Sequence, residues 1–198
     1  TNHADVRAGG GVTAHEAVTT GSLFLDAGQG AEFKSPLTVV GNADIRAGLG
    51  ITVRDVISAG GLGLQAGQAI DLFANITVNG VSTGSAGVLG GAIRMIAPSG
   101  VIRLDDTFFT ATQGHLSLRS AGFSAPVRST VRFLTAVNTG TGAAADVLIR
   151  ESDGLTVVDD GLALGGVYSA NGRIDINLSA ADALLTLSSG AIRAAGAS

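Results

Sequence analysis

Three kinds of side-chain grouping in this 198-residue chain have residue types and spacing that could do chemistry. Gly80-Val81-Ser82-Thr83-Gly84 fits the G-x-S-x-G pattern that presents a nucleophilic serine. That pattern works only on a sharp strand-to-helix elbow, which projects the hydroxyl. Here it sits in a Gly- and Ser-rich stretch with no helical pattern after it, where such matches arise by composition. The acid pairs Asp105-Asp106 and Asp159-Asp160 are the second kind. Glycoside cleavage needs two carboxylates within several ångströms of each other and of the scissile bond, and Gly114-His115 follows the first pair about one short strand and turn later. Asp is equally at home in turns, so both pairs also read as corner residues. The histidines are the third kind: His3, His15 and His115 are far apart with no i, i+4 pairing, so the sequence suggests no zinc site. Calcium-binding G-G-x-G-x-D repeats are absent, and the sequons at Asn75 and Asn177 matter only in a host that glycosylates them. We therefore expect no catalytic residue, no metal site and no cofactor.

Any of these groups would have to be positioned by an unusual scaffold. Thirty glycines stand against three prolines and 4 % aromatic residues. A core built without large aromatics must come from many small, similar layers of Ala, Val, Leu and Ile. Disorder is excluded by 45 % hydrophobic against 14 % charged residues. The net charge is −4, and the single Lys34 and the arginines are scattered singly, so no basic track exists for a nucleic acid. With no cysteine there are no disulfides and no thiolate metal sites. The longest uncharged stretch, 72–93, carries five glycines with Asn75, Asn79, Ser82, Thr83 and Ser85, which argues against a bilayer span.

The scaffold shows itself as a repeat. "ADVRAG" (4–9), "LFLDAG" (23–28), "ADIRAG" (43–48) and "LGLQAG" (62–67) place the Ala-Gly step at spacings of 19, 20 and 19 residues. Related openings follow at 92–100, 115–122, 146–154 and 173–180, more widely and unevenly spaced. Each early unit holds three short period-two runs, such as Leu62-Gly63-Leu64, Ile70-Asp71-Leu72 and Ile76-Thr77-Val78. Period two over three residues means strand, and one such unit cannot bury its apolar side alone. Stacked units can. The expectation is an all-β, right-handed parallel β-helix over 1–198 with three-strand coils and roughly eight rungs, taking one rung per opening. Gly at the corners supplies positive φ, Ile45, Ile51, Leu64, Ile70 and Ile76 face inward, and Arg46, Asp71, Thr77 and Arg94 face out. Loop excursions are expected at 79–91 and 120–145. A regular Thr-x-Thr ladder, as an ice-binding face needs, does not appear at the repeat period.

The stretch "ADIRAGLGITVRDVISAGGLGLQAGQAIDLFANITVNG" resembles the repeats of filamentous-haemagglutinin-like exoproteins, large adhesins exported by two-partner secretion. The match is good over 4–80 and looser over 92–198. The resemblance implies a right-handed parallel β-helix shaft, secretion to the bacterial cell surface, and a role in adhesion, aggregation and virulence. It implies two partners: an outer-membrane transporter during export, and a receptor or glycan on a host or neighbouring cell. Autotransporter passengers share the fold. The family's secretion-recognition region uses Asn-Pro motifs, which this chain lacks, so the expected function is that of a structural shaft segment of a longer protein, without catalysis. Two alternatives stand beside it. One is a polysaccharide-active domain, a polyuronide hydrolase or lyase using Asp105, Asp106 and His115 on one wall. Its acid pair followed by Gly-His is similar to the polygalacturonase order, although that family's later Arg-Ile-Lys is Arg173-Ile174-Asp175 here. The other is a ligand-binding module acting through the loops 79–91 and 120–145.

Overall fold

The computed structural model describes residues 2–80 and 91–196. They form a β-solenoid of about seven turns, a parallel β-helix. Short strands of each turn pair in parallel with their equivalents one turn away, in the register that the repeat spacing demands. Leu25 lies beside Ile45 and Ile45 beside Leu64 on one wall, while Ile51 lies beside Ile70 on another. Regular helix is confined to a single 3-10 turn, Gly142–Ala144, among the described residues. The stretch 179–190, ambiguous by pattern, contributes the strand Leu185–Leu187.

Three walls are recognisable, but they belong to two sheets. The second wall is a 5-stranded sheet running from Val12–Ala14 through Ala31–Phe33, Ile51–Val53 and Ile70–Leu72 to Ile102–Leu104. The third and first walls join in one 15-stranded sheet, because strands such as Leu37–Ala47 and Ile57–Ala66 run straight through the corner between them. A register shift between Val39 and Asn42 turns the chain there without breaking the ladder.

Inward positions form aligned apolar columns. Ile45, Ile51, Leu64, Ile70 and Ile76, the residues expected to face in, are no more than 1 % exposed. Outward positions take charges that pair within a strand, as Asp44 with Arg46, or between turns, as Glu32 with Arg54 and Asp71 with Arg103. Such exposed pairs add little stability, ~0–1 kcal/mol each, and chiefly keep the walls wet.

The corner glycines correct one expectation. Positive φ among described glycines is confined to Gly91, Gly142, Gly161 and Gly166, none of which is in the Ala-Gly steps. What those steps lack is room. A Cβ on Gly28 would stand 2.3 Å from Gly9 O, one on Gly48 2.3 Å from Gly28 O, and one on Gly67 2.1 Å from Gly48 O. Successive corners touch backbone to backbone, and Gly48 N donates to Ala27 O at 2.9 Å to carry the ladder round the bend.

The second half of the chain departs from the expected coil. Residues 120–145 hold the 12-residue strand Val127–Asn138, which pairs with Phe108–Ser120 and so belongs to the stack; the irregular part is the connection after it. The openings at 146–154 and 173–180 prove to be third-wall strands, Val147–Glu151 and Ile174–Leu178, whereas the earlier openings start the first wall. Period-two alternation tells strand from helix but not one wall from another, so counting openings gave roughly eight rungs. Among the described residues the second wall beyond Ile102–Leu104 continues as a bridge from Ile102 to Phe123 and a backbone bond from Phe123 N to Ala144 O. The inward alanine column of the first wall, Ala27, Ala47, Ala66 and Ala97, there becomes Ser120, Asn138 and Ser169. Their side chains satisfy the loop backbone that the missing strands would have paired. Asn138 donates to Ala144 O at 2.7 Å and accepts from Gly140 N, and Ser169 donates to Ala145 O at 2.8 Å. Residues 81–90 of the first expected excursion, with Ser82, lie outside the described residues.

Candidate functional site

Asp105 and Asp106 occupy the corner between Ile102–Leu104 and Phe108–Ser120. Asp106 takes a left-handed φ of 54°, which Asp tolerates better than most residues, and its carboxylate is fully in solvent. The pair lines a shallow corner cleft with Leu104, Ala125, Pro126 and Arg128. His115 is elsewhere. It lies on the outward side of the first wall, 2 % exposed, beneath the chain at 158–166. The third wall separates it from the acids, so the structure does not bring Asp105, Asp106 and His115 to one groove.

The other acid pair is split between solvent and interior. Asp159 is exposed, while Asp160 is 4 % exposed. The Asp160 carboxylate accepts from Ser117 Oγ at 2.7 Å and from Arg119 Nε at 3.2 Å, with Arg119 Nη2 on its second oxygen. Arg119 Nη1 also donates to Ala163 O. Thr135 Oγ1 donates to Val158 O at 2.8 Å and therefore accepts from His115 Nε2 at 3.1 Å. That places a proton on Nε2. Every residue of this cluster holds 158–166 against the wall.

Electrostatics agree with a clamp. Burial alone would raise the Asp160 carboxyl, but the hydrogen bonds from Arg119 and Ser117 hold it below the ordinary carboxylate range. Burial lowers His115 to about 4, opposed by Asp160 and assisted by Arg94 on the adjacent strand. The serine is oriented on the carboxylate, and at the threonine the imidazole Nε2 donates while the hydroxyl gives its own proton to Val158 O, the reverse of the contact in which a base activates a hydroxyl. Chemically the cluster is a buried ion pair with its donors satisfied, an arrangement whose loss of one partner is costly.

Glu151 is a further buried acid, 1 % exposed, on the inward side of the third wall. It accepts from Ser129 Oγ at 2.6 Å, Val131 N at 3.1 Å and Ser152 N at 3.1 Å. Burial raises it to about 7 against these charge-favouring bonds. Sequence reasoning passed over it, although the alternation Val147, Ile149, Glu151 signals an inward acid. Asp160 carried no such signal, since its stretch has no period.

The outward side of the third wall carries an unexpected file of hydroxyls. Thr19, Thr38, Ser58, Thr77, Thr110 and Thr130 stack in register, and Thr130 hydrogen-bonds to Ser152, just past the end of the next strand. Among the described residues it is a single rank and not a Thr-x-Thr face. From Thr19 to Thr77 its members keep the 19–20-residue spacing of the repeat, and the insertion before Thr110 interrupts it. Among the described residues no group of three or more His, Cys, Asp or Glu could hold a metal ion. No described helix is long and apolar enough to cross a membrane.

Fold and surface together define the chain as a parallel β-helix repeat protein with a clamped loop on one wall. No family model, curated protein or solved structure matches it.

Proposed function

We propose that the chain is a shaft segment of a secreted or surface-displayed bacterial adhesin, a rigid spacer that holds binding regions away from the cell. The observation that supports this reading is the continuous pairing along the third wall, strand to strand from Val18–Thr20 to Ile174–Leu178. In such a stack each turn touches only its neighbours, so reach is set by the number of turns. The repeat's resemblance to filamentous-haemagglutinin-like exoproteins supplies the route and the partners: a two-partner outer-membrane transporter during export, and a receptor or glycan on a host or neighbouring cell at the far end. The test uses intact bacteria that make the protein, probed with an antibody to this chain and with added protease. Labelling without permeabilisation, loss of the label after protease, and weaker cell aggregation or adherence on gene deletion are the expected results. Labelling that requires permeabilised cells would contradict the proposal.

A further inference from the structure

The third wall carries two arginines in an arrangement that the fold alone does not require. Arg128 and Arg150 lie directly opposite one another on neighbouring strands. Phe108 continues the column on one side and Asn177 on the other. Like charges directly opposite in a sheet repel. Arg150 donates to Asp175 at 3.0 Å and to Ile149 O at 3.0 Å, which leaves three of its five N–H groups for a ligand, while Asp106 stands 3.8 Å from Arg128. Glu151 gives no outward counter-charge, because its carboxylate is turned inward onto Ser129 and Val131. The two arginines thus meet two acids, and Arg128, whose acid stands beyond hydrogen-bond distance and in open solvent, is the less closely held of the pair.

The arginines line a cleft of about 220 Å³ with Phe108, Glu151, Ser152, Asn177 and Ser179, the Glu151 carboxylate itself being turned inward. That is smaller than the ~300–1,000 Å³ of sites for drug-sized ligands, so it takes a single ring. Its chemistry is mixed in a specific way. A guanidinium is a planar fork that matches a carboxylate with two parallel hydrogen bonds. Half-exposed Phe108 offers an apolar face at one end. At the other end exposed Asn177 offers a neutral donor and acceptor, and the hydroxyls of Ser152 and Ser179, already bonded to Thr130 and to the Glu151 and Ser152 carbonyls, offer their remaining lone pairs to ring hydroxyls. We propose that this cleft is a binding site for a carboxylate-bearing sugar, a hexuronate unit of an acidic polysaccharide, with Arg128 and Arg150 on the carboxylate and Phe108 against the ring. The site stands on these residues alone and does not depend on the shaft reading. It lies on strands locked in the sheet, so it is preorganised.

The experiment titrates the 198-residue chain with trigalacturonate, with neutral galactotriose and with sodium sulfate, following amide shifts by NMR. Saturable binding of trigalacturonate with shifts centred on residues 108, 128, 150 and 177 is expected. Losing a charged hydrogen bond in Arg128→Gln should weaken it roughly tenfold or more. Arg128→Lys should fall between, because it keeps the charge and loses the fork, and Phe108→Leu should weaken it several-fold. Arg46→Gln on the first wall should change nothing. Circular dichroism on each variant confirms that these surface changes leave the fold intact. Equal affinity for galactotriose, binding that survives Arg128→Gln, or no saturable binding at millimolar trigalacturonate would overturn the proposal. Competition by sulfate at matched concentration would reduce the site to a simple anion site and overturn the saccharide assignment.

Discussion

Glu151 and His115 are both removed from water, and burial pushes each toward its neutral form. Their effects on stability have opposite signs. Glu151 is raised to about 7 from 4.5, so its contribution is full below 4.5 and is lost as pH rises through 7. His115 is lowered to about 4 from 6.5, so its contribution is full above 6.5 and is lost as pH falls through 4. The two slopes oppose each other between pH 4.5 and 6.5. Wild-type stability should therefore change little across that window. Glu151→Gln should expose the His115 slope, with the unfolding free energy from urea titrations rising with pH by an amount on the order of 2–3 kcal/mol over the window. His115→Asn should reverse the sign. Variant profiles parallel to the wild-type profile would show that neither group titrates as its burial requires.

The repeating element is legible in residues 4–80 because its two signals agree there, period-two alternation within runs and 19–20-residue spacing between them. The inward set Ile45, Ile51, Leu64, Ile70 and Ile76 follows from those alone. Corners were harder to read, because a glycine in sequence does not say why it is glycine. At Gly48 the cause is a neighbouring coil 2.3 Å from the missing Cβ, a long-range fact. The clamp was hidden for the same reason, since Arg119 and Asp160 are separated by 41 residues of uneven coil. The column Phe108, Arg128, Arg150 and Asn177 was hidden because its spacing widens at each step and its residue types differ, so no motif repeats along it. Corner packing makes a direct prediction. Gly48→Ala forces backbone apart between two turns and should cost ~1–3 kcal/mol in thermal or urea unfolding. Gly9→Ala, in the same Ala-Gly step but with nothing within 4 Å of the new Cβ, should stay within about 0.5 kcal/mol of wild type. Equal effects of the two would mean that stacked corners do not explain the motif.

As a whole the molecule is a one-dimensional object in which each turn is bonded to the turns beside it and to little else. Its turns should then be interchangeable units, which is what a spacer requires. Residues 43–61 are one complete coil of 19 residues, since Ala43 pairs with Leu62 and Asn42 with Gly61. Two further copies of 43–61 inserted after Gly61 repeat the same inward columns and the same Gly48 corner. Small-angle X-ray scattering on the wild type and on this insertion variant measures the outcome. The expected result is an unchanged cross-section and a rod longer by ~10 Å, at ~4.8 Å per added turn, with cooperative unfolding at or above the wild-type temperature. Inserting about half a coil puts apolar and polar positions out of phase, and that variant should fail to fold. An in-phase insertion that widens the particle, leaves its length unchanged or unfolds it would contradict the modular rod.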